Sequence, residues 1–207
     1  MTRTPSQTLK DQWLSAVLSR VPDYGWTKET LAAAADEAGL DDGEQVLAAP
    51  GGVNDLIDHF FGSAADKMLE QLATEDLGAL RVHERVAVGL RMFLDQLEPN
   101  REAVRRAAAR GMMPWGAGAA ASRIWDIADA VWEGASDTAT DYNRQTKRAL
   151  LSAVIPSVVS FWLANKDSEA INAHIKSRLQ IAMMVGKSGG KLAGPMLKAW
   201  WANRKTR

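Results

Sequence analysis

Hydrophobic residues recur along this chain at intervals of three and four, as on one face of a helix, and no convincing alternating strand appears. The stripes are punctuated by Pro22, Gly39 and the run Pro50-Gly51-Gly52. This pattern predicts helices over 8–21, 27–39, 42–47, 53–74, 82–97, 101–110, 119–134, 138–165, 167–187 and 195–205. The sequence therefore predicts an all-α protein.

Two segments have a distinctive place in this pattern. Thr27 is expected to cap the second helix without a capping box, because Thr30 replaces the Glu or Gln that a box requires. Ten of the fourteen residues from Leu150 to Leu163 are apolar and surround the helix axis. That helix is expected to be buried on every side and kinked at Pro156.

Three short helices followed by a larger bundle resemble the TetR-like fold. The segment 27–40 resembles the second helix of that family's helix-turn-helix, with Ala35, Ala38 and Gly39 at its end. We therefore expect a TetR-like bundle with a degenerate N-terminal helix-turn-helix and a C-terminal amphipathic helix.

Charge argues against DNA binding by that unit. The net charge of the chain is zero, but residues 27–58 hold eight acids and one base, whereas residues 176–207 hold eight bases and no acid. The segment placed to enter a major groove, 42–47, contains Asp42 and Glu44 and no base. We expect no nucleic-acid partner. The alternative function is a TetR-like transcriptional regulator with a hydrophobic effector.

The sequence offers little to an enzyme. It has no cysteine, and its three histidines show no metal-ligand spacing. The segment 116–121 fits a loose G-x-G-x-x-A pattern, but no strand precedes it, so small residues for helix packing explain it better. Asp126 and Asp129 have no third ligand and are interpreted as a solvated face. We expect no catalytic residue, no metal and no cofactor.

Aromatic and methionine residues are concentrated in the later helices, and eight tryptophans are present. Taken singly, each is compatible with an ordinary core position; together they suit an apolar cavity for a long hydrocarbon ligand. The predicted lipid-binding residues are Phe60, Phe61, Phe93, Met112, Met113, Trp125, Trp132, Val158, Phe161 and Trp162.

The C-terminal segment has the composition of an interfacial membrane helix. Apolar residues at four-residue spacing lie opposite lysines at seven-residue spacing, and the sequence 188–190 (Ser-Gly-Gly) predicts a flexible linker before them. The alternative is a helix docked on its own domain. The predicted membrane-binding residues are Lys191, Leu192, Met196, Leu197, Lys198, Trp200, Trp201 and Lys205.

The sequence predicts no targeting signal. Residues 1–10 contain no apolar signal-peptide core, and no apolar run reaches the roughly 18 residues needed to span a bilayer. We expect a bacterial cytoplasmic protein, peripheral on the inner membrane.

Four motifs are distinctive: Gly25-Trp26-Thr27, Met112-Met113-Pro114, Trp132, and the element Thr140-Asp141-Tyr142-Asn143 continued by Thr146-Lys147-Arg148-Ala149-Leu150. Through these motifs the chain resembles the coenzyme Q nine family over about residues 8–205. In eukaryotic members two aromatic residues follow the Asn of that element, where this chain has Arg144 and Gln145.

The resemblance implies a lipid-binding accessory protein of ubiquinone biosynthesis with a TetR-like fold. Members bind isoprenoid lipids in the bundle, form homodimers, sit on membranes through the last helix, and present substrate to the demethoxyubiquinone hydroxylase. The resemblance also implies a partner-docking surface formed by Asp141, Tyr142, Asn143 and Arg148. The expected organisation is a helix-turn-helix unit over 8–52, a lipid-binding bundle over 53–187, and a linker with a membrane helix over 188–207.

Overall fold

The structure is a computed structural model that describes residues 4–114, 116–136 and 142–204. Side chains are described for residues 4–114, 116–136 and 144–186. Every regular element in these residues is helical, which confirms the all-α prediction. The helices are α1 Pro5–Tyr24, α2 Lys28–Ala38, α3 Asp42–Ala48, α4 Val53–Leu72, α5 Val82–Leu97, α6 Arg101–Gly111, α7 Ala117–Gly134, α8 Tyr142–Ala164 and α9 Ser168–Arg204, with a 3₁₀ turn at Glu98–Asn100.

Helix α1 is longer at both ends than the hydrophobic pattern predicts. It starts at Pro5, where a capping box joins Thr4 and Gln7. It also continues through Pro22 to Tyr24, because a proline near the end of a helix removes only one backbone hydrogen bond. The Gly25 N–H donates to the carbonyl of Val21 and closes the last turn.

The caps of α2 and α3 fix the turn between them. The hydroxyl of Thr27 accepts from the Thr30 N–H, as predicted. Gly39 ends α2 with φ at 70°, in the left-handed region that favours glycine. Asp41 and Glu44 then form a capping box at the start of α3. The acids of this segment therefore stabilise its own helix termini.

The hydrophobic core is continuous across residue 52, where the sequence predicts a unit boundary. Trp26, between α1 and α2, is 3% exposed, and its indole N–H donates to the carbonyl of Ala103 in α6 at 2.9 Å. The Trp26 ring lies 6.0 Å from that of Phe60 in α4. The first three helices are therefore packed into the bundle rather than beside it.

Helix α8 differs from its prediction. Leu151, Val158 and Trp162 are buried, but Ala153, Pro156 and Ser160 are exposed. The expectation that this helix is buried on every side is therefore wrong. Its exposed face carries small residues, which periodicity alone counts with the apolar ones.

Helix α9 runs without a break from Ser168 to Arg204. It includes residues 188–190, predicted as a flexible linker, and Pro195, predicted to begin a separate helix. Glycine lowers helix propensity by about 1 kcal/mol per residue, which a long helix tolerates. The structure thus replaces the predicted linker and last helix with one extended helix.

One helical segment of the described chain, Arg144–Ala164, has the length and apolar composition of a membrane span. A core helix meets the same criteria, and this segment contributes Leu151, Val158 and Trp162 to the core.

Candidate binding groove

A groove of about 510 Å³ opens between α6, α7 and α8. Helix α6 supplies small residues, while α7 and α8 supply branched ones. The groove is lined by Phe61, Phe93, Val104, Arg105, Ala107, Ala108, Ala109, Gly111, Met112, Ala120, Arg123, Ile124, Ile127, Ile155, Pro156, Val159, Ser160, Leu163 and Ala164. A volume of this size with a mostly apolar lining is typical of a small-molecule site.

The sides of the groove are held at fixed positions. At one end Arg105 of α6 donates from Nη2 to the carbonyl of Leu163 in α8 at 3.1 Å. Arg101 donates to carbonyls of Trp162 and Asn165 and also lies over the Trp162 ring, 4.4 Å from its centroid. At the other end Gly111 is so close to Ala120 that an added Cβ would lie 2.9 Å from the alanine Cβ.

Glu98 completes the Arg101 end of the groove. Its carboxylate accepts from the indole N–H of Trp162 at 2.9 Å and pairs with Arg101 at 2.9 Å. Partial burial favours the protonated acid, but the hydrogen bonds from Arg101 and Trp162 outweigh it and hold the pKa of Glu98 below its usual value.

The floor is formed by the rings of Phe61 and Phe93, whose centroids are 6.5 Å apart. Both belong to the predicted lipid-binding set, as does Met112, which lines the groove and is 81% exposed. An exposed methionine at the end of an apolar groove suits adaptable contact with a flexible chain.

Other residues of that predicted set lie elsewhere. Phe60, Val158 and Trp162 are buried core residues. Trp125 is half-buried and Met113 is 44% exposed, and neither lines the groove.

Trp132 and Phe161, predicted to border the pocket, also lie outside the groove. The Trp132 indole donates to the Lys147 carbonyl at 3.2 Å, and the Lys147 ammonium lies 5.2 Å from the ring centroid. Phe161 stacks on His174 of α9 with 4.1 Å between centroids. Burial and, to a lesser extent, the nearby Arg178 lower the pKa of His174. These aromatic residues join α8 to its neighbouring helices.

The small residues of α6 and the two arginines of the groove were not predicted from the sequence. Arg123 follows Ala120 and precedes Ile124 and Ile127 on one side of α7, so a charged residue within an apolar stripe was the available signal. The alanines of α6 gave no signal, because alanine is a favourable residue in any helix.

Of the four predicted partner-docking residues, Arg148 alone has a described side chain. Asp141 and the side chains of Tyr142 and Asn143 lie outside the described residues. Arg148 is 5% exposed and donates from Nε to Asp129 of α7, which also pairs with Arg144 at 3.3 Å.

Asp129 is therefore not the free solvated side chain that the sequence predicts, because it is partly exposed but paired with two arginines. Partial burial opposes its ionisation, but the hydrogen bonds from Arg148 and Arg144 outweigh it and hold the pKa of Asp129 below its usual value. The start of α8 is fixed to α7 by this charge cluster together with the Trp132–Lys147 contacts.

A second groove, of about 560 Å³, lies between α5 and α9. Its lining alternates apolar residues such as Met92 and Ile175 with charged ones such as Glu84, Arg91 and Lys176. No residue of the predicted lipid-binding set lines it. Its mixed charge suits a lipid chain less well than the α6–α8 groove does.

The predicted membrane-binding residues cannot be placed in the same way. The side chains of 191–201, and all of Lys205, lie outside the described residues, so only the helical backbone through Arg204 is known. Residues 4–114, 116–136 and 144–186 contain no group of three or more His, Cys, Asp or Glu side chains arranged to hold a metal ion. His59 is paired with Asp11 at 2.8 Å.

Comparison with known proteins adds to this geometry. The family described as COQ9 matches residues 117–186, which include the α7 and α8 sides of the groove and the Asp129–Arg148 cluster. The N-terminal domain of ubiquinone biosynthesis protein COQ9 matches residues 7–36, in α1 and α2. Both matches are to the coenzyme Q nine family, which the chain resembles over these residues. The predicted resemblance is confirmed by these two matches.

Curated relatives match nearly all of the described fold. The human mitochondrial ubiquinone biosynthesis protein COQ9 is 28% identical over 193 residues, covering 87% of this chain and 59% of the human protein. The Xenopus laevis COQ9-A protein is 26% identical, covering 90% and 62%. The Drosophila melanogaster protein is 23% identical, covering 86% and 57%. The chain thus spans about three fifths of the length of these relatives.

These relatives correct one expectation. We expected a bacterial cytoplasmic protein on the inner membrane, but the human, rat and fly proteins are all named as mitochondrial. The location expected from residues 1–10 is contradicted by the relatives.

Proposed function

We propose that this chain acts in ubiquinone biosynthesis as a lipid-binding accessory protein. It binds an isoprenoid quinone precursor in the α6–α8 groove and presents it, at a membrane surface, to a biosynthetic hydroxylase. The chain acts as a carrier in this proposal, and the chemistry belongs to the partner. Its relatives are named for ubiquinone biosynthesis, which supports the pathway.

The observation that carries the proposal is the groove itself. Its apolar walls come from three helices, and its α8 side exposes Pro156, Ser160 and Ala164 instead of burying them against a neighbour. Filling about 510 Å³ with hydrocarbon would remove apolar area from water, which contributes about 25 cal/mol for each Å² buried. A long apolar chain is the ligand that gains most from such walls.

The membrane and partner steps rest on the sequence and the helix positions. Residues 187–207 carry six bases and no acid, and helical backbone extends to Arg204. Each base near an anionic bilayer contributes about 1 kcal/mol to membrane binding, and each tryptophan that enters the bilayer interface adds buried apolar area. The fixed start of α8 supports a docking surface there for the hydroxylase, and a second copy of the chain is the proposed oligomeric partner.

The regulator alternative finds no support in the α3 region. Asp42 and Glu44 lie at its N-terminus, Val46 and Leu47 are 67% and 56% exposed, and the helix holds no base. Phosphate contacts need Lys or Arg, so the proposal expects no tight duplex binding even at low salt. A gel shift with duplex DNA at low salt checks this, and tight binding there would favour the regulator.

The direct test is solvent extraction of the purified protein followed by mass spectrometry, and then titration with a short-chain isoprenoid benzoquinone. Val159→Asp places a carboxylate in the groove, and Ala153→Asp, exposed on the same helix but outside the groove lining, is the matched control. We expect wild type and the control to retain lipid and the Val159 variant to lose it with unchanged helical content. A wild-type protein that is empty and binds no quinone would overturn the proposal.

A further inference from the structure

Arg123 is one of two arginines in the wall of a mostly apolar groove. It extends from α7, its side chain is 10% exposed, and its guanidinium carbon lies 5.6 Å from the centroid of the Phe61 ring on the groove floor. Burying a charge costs several kcal/mol unless it is paired and hydrogen-bonded. The acceptors that this guanidinium already has therefore determine which further acceptor a ligand in the groove could provide.

Asp58 of α4 provides the charge but only one aligned hydrogen bond. Arg123 Nε donates to Asp58 Oδ1 at 2.7 Å. Nη2 lies 2.6 Å from the same oxygen but is not aligned to donate to it, and it is buried with no other acceptor in the described part of the chain. The ion pair thus neutralises Arg123 and leaves guanidinium N–H groups without acceptors.

We propose that Arg123 is the head-group donor of the groove and selects a neutral ligand with an acceptor oxygen. This inference rests on the proposed lipid-binding function and assigns an orientation within it. Because Asp58 already balances the charge, a carboxylate or phosphate head would add an unbalanced negative charge beside the Asp58–Arg123 pair. A carbonyl, hydroxyl or methoxy oxygen accepts from the free N–H groups at no such cost.

The aromatic floor narrows the ligand class further. Phe61 lies beside Arg123 and lines the groove, so a planar ring bearing the acceptor oxygen can contact Phe61 while it accepts from the guanidinium. The hydrocarbon chain then follows the apolar walls formed by Ala108, Val159 and Leu163. The ligand class is a neutral oxygenated ring on an isoprenoid tail.

Three probes of similar tail length separate the elements of this assignment: an isoprenoid benzoquinone, an isoprenoid hydrocarbon without oxygen, and an isoprenoid carboxylate. Each is titrated by tryptophan fluorescence quenching or native mass spectrometry against the full chain. We expect the quinone to bind more tightly than the carboxylate. Loss of a hydrogen bond to a charged donor is expected to cost about 10- to 100-fold in affinity. Arg123→Met should therefore weaken quinone binding by that factor and leave hydrocarbon binding unchanged.

Asp58→Asn and Arg123→Lys distinguish head-group donation from a structural role. Asp58 is 53% exposed, so its neutral variant keeps the fold and leaves Arg123 with its full charge. We expect Asp58→Asn to bind quinone as well as wild type and to bind the carboxylate more tightly, because the balancing charge is gone. Arg123→Lys should restore part of the quinone affinity.

The outcomes separate this inference from the function on which it rests. If neither quinone nor hydrocarbon binds wild type, the proposed function fails and Arg123 has no ligand. If both bind wild type and Arg123→Met weakens both equally, or neither, the groove binds lipid but Arg123 only pairs with Asp58. An equal loss of melting temperature and of all binding in Arg123→Met and Asp58→Asn would also overturn the head-group role.

Discussion

Replacing Asp129 by alanine should destabilise this protein far more than an ordinary change on a helix surface. Its partner Arg148 has a side chain only 6% exposed, and among the residues that the structure describes Asp129 is the acid that pairs with it. Removing one member of a fully buried ion pair costs about 3–5 kcal/mol, because the other charge stays buried and unpaired. Asp129 is 38% exposed, so solvent screens part of the interaction and we expect about 2–3 kcal/mol.

The control for this change is Asp126→Ala, three residues earlier on the same helix and exposed. Both substitutions raise helix propensity equally, so their difference isolates the Arg148 contact. We expect the control to stay within about 0.5 kcal/mol of wild type. Urea denaturation followed by circular dichroism measures the free energy of unfolding of both variants. In thermal unfolding, Asp129→Ala should lower the melting temperature by about 4–12 °C.

The double variant Asp129→Ala with Arg148→Met makes the reasoning refutable. Because the cost comes from an uncompensated buried charge, replacing Arg148 by a side chain of similar length should recover most of the lost stability. If the double variant is as unstable as Asp129→Ala, the loss is one of packing. If Asp129→Ala itself costs less than about 1 kcal/mol, Arg148 does not depend on its partner.

The Asp129–Arg148 pair also makes the stability of the fold depend on pH. The pKa of Asp129 is lower in the folded protein than its ordinary value of about 3.9 in an unfolded chain. The unfolded chain therefore binds the proton more readily, and the stabilisation is complete above about pH 5 and is lost as pH falls through the folded pKa. The stability gap between wild type and Asp129→Ala should be constant from pH 7 to 5 and narrow below about pH 4.

Further changes test the groove, two glycines and the C-terminus. Ala108→Trp should fill the groove and prevent lipid co-purification, measured by mass spectrometry, whereas Ala153→Trp, exposed on α8 but outside the groove lining, should not. Gly62 lies within a helix, and a Cβ added there would have no atom within 4 Å, so Gly62→Ala should raise the free energy of unfolding by about 0.5–1 kcal/mol. A Cβ added at Gly134 would lie 2.4 Å from a leucine methyl, so Gly134→Ala should lower the free energy of unfolding. Deleting 188–207 should leave a folded protein that no longer sediments with anionic liposomes; equal sedimentation of both forms would assign that binding to the body.

Local signals predicted the helix ends best. Thr27 and Gly39 mark the limits of α2 because a side-chain cap and a left-handed glycine are decided by neighbouring residues alone. The same reasoning failed at residues 188–190, where glycines that weaken a helix were taken as a break. Each glycine lowers the stability of the helix by a fixed amount, and the helix still forms where its other residues stabilise it by more.

The groove was beyond sequence reasoning for a different reason. Its walls come from α6, α7 and α8, and its floor from α4 and α5, so no single stretch of chain describes it. Large aromatic residues attracted the prediction, yet Trp162 fills the core while alanines line the opening. A cavity is space that side chains leave, and small residues at the right distance create it.

Helix α6 links the groove to the N-terminal helices, and this leads to a last prediction. One face of α6 lines the groove, while Arg106 donates to the Pro22 carbonyl at 2.9 Å and the carbonyl of Ala103 accepts from Trp26. A ligand that immobilises α6 should therefore slow amide exchange in residues 17–27 as well as in the groove walls. Hydrogen exchange of quinone-loaded and empty protein, read by mass spectrometry, measures this, with the double variant Trp26→Phe and Arg106→Met removing both hydrogen bonds. Protection confined to α7 and α8, or unchanged in the double variant, would show that these contacts of α6 do not transmit occupancy to the first three helices.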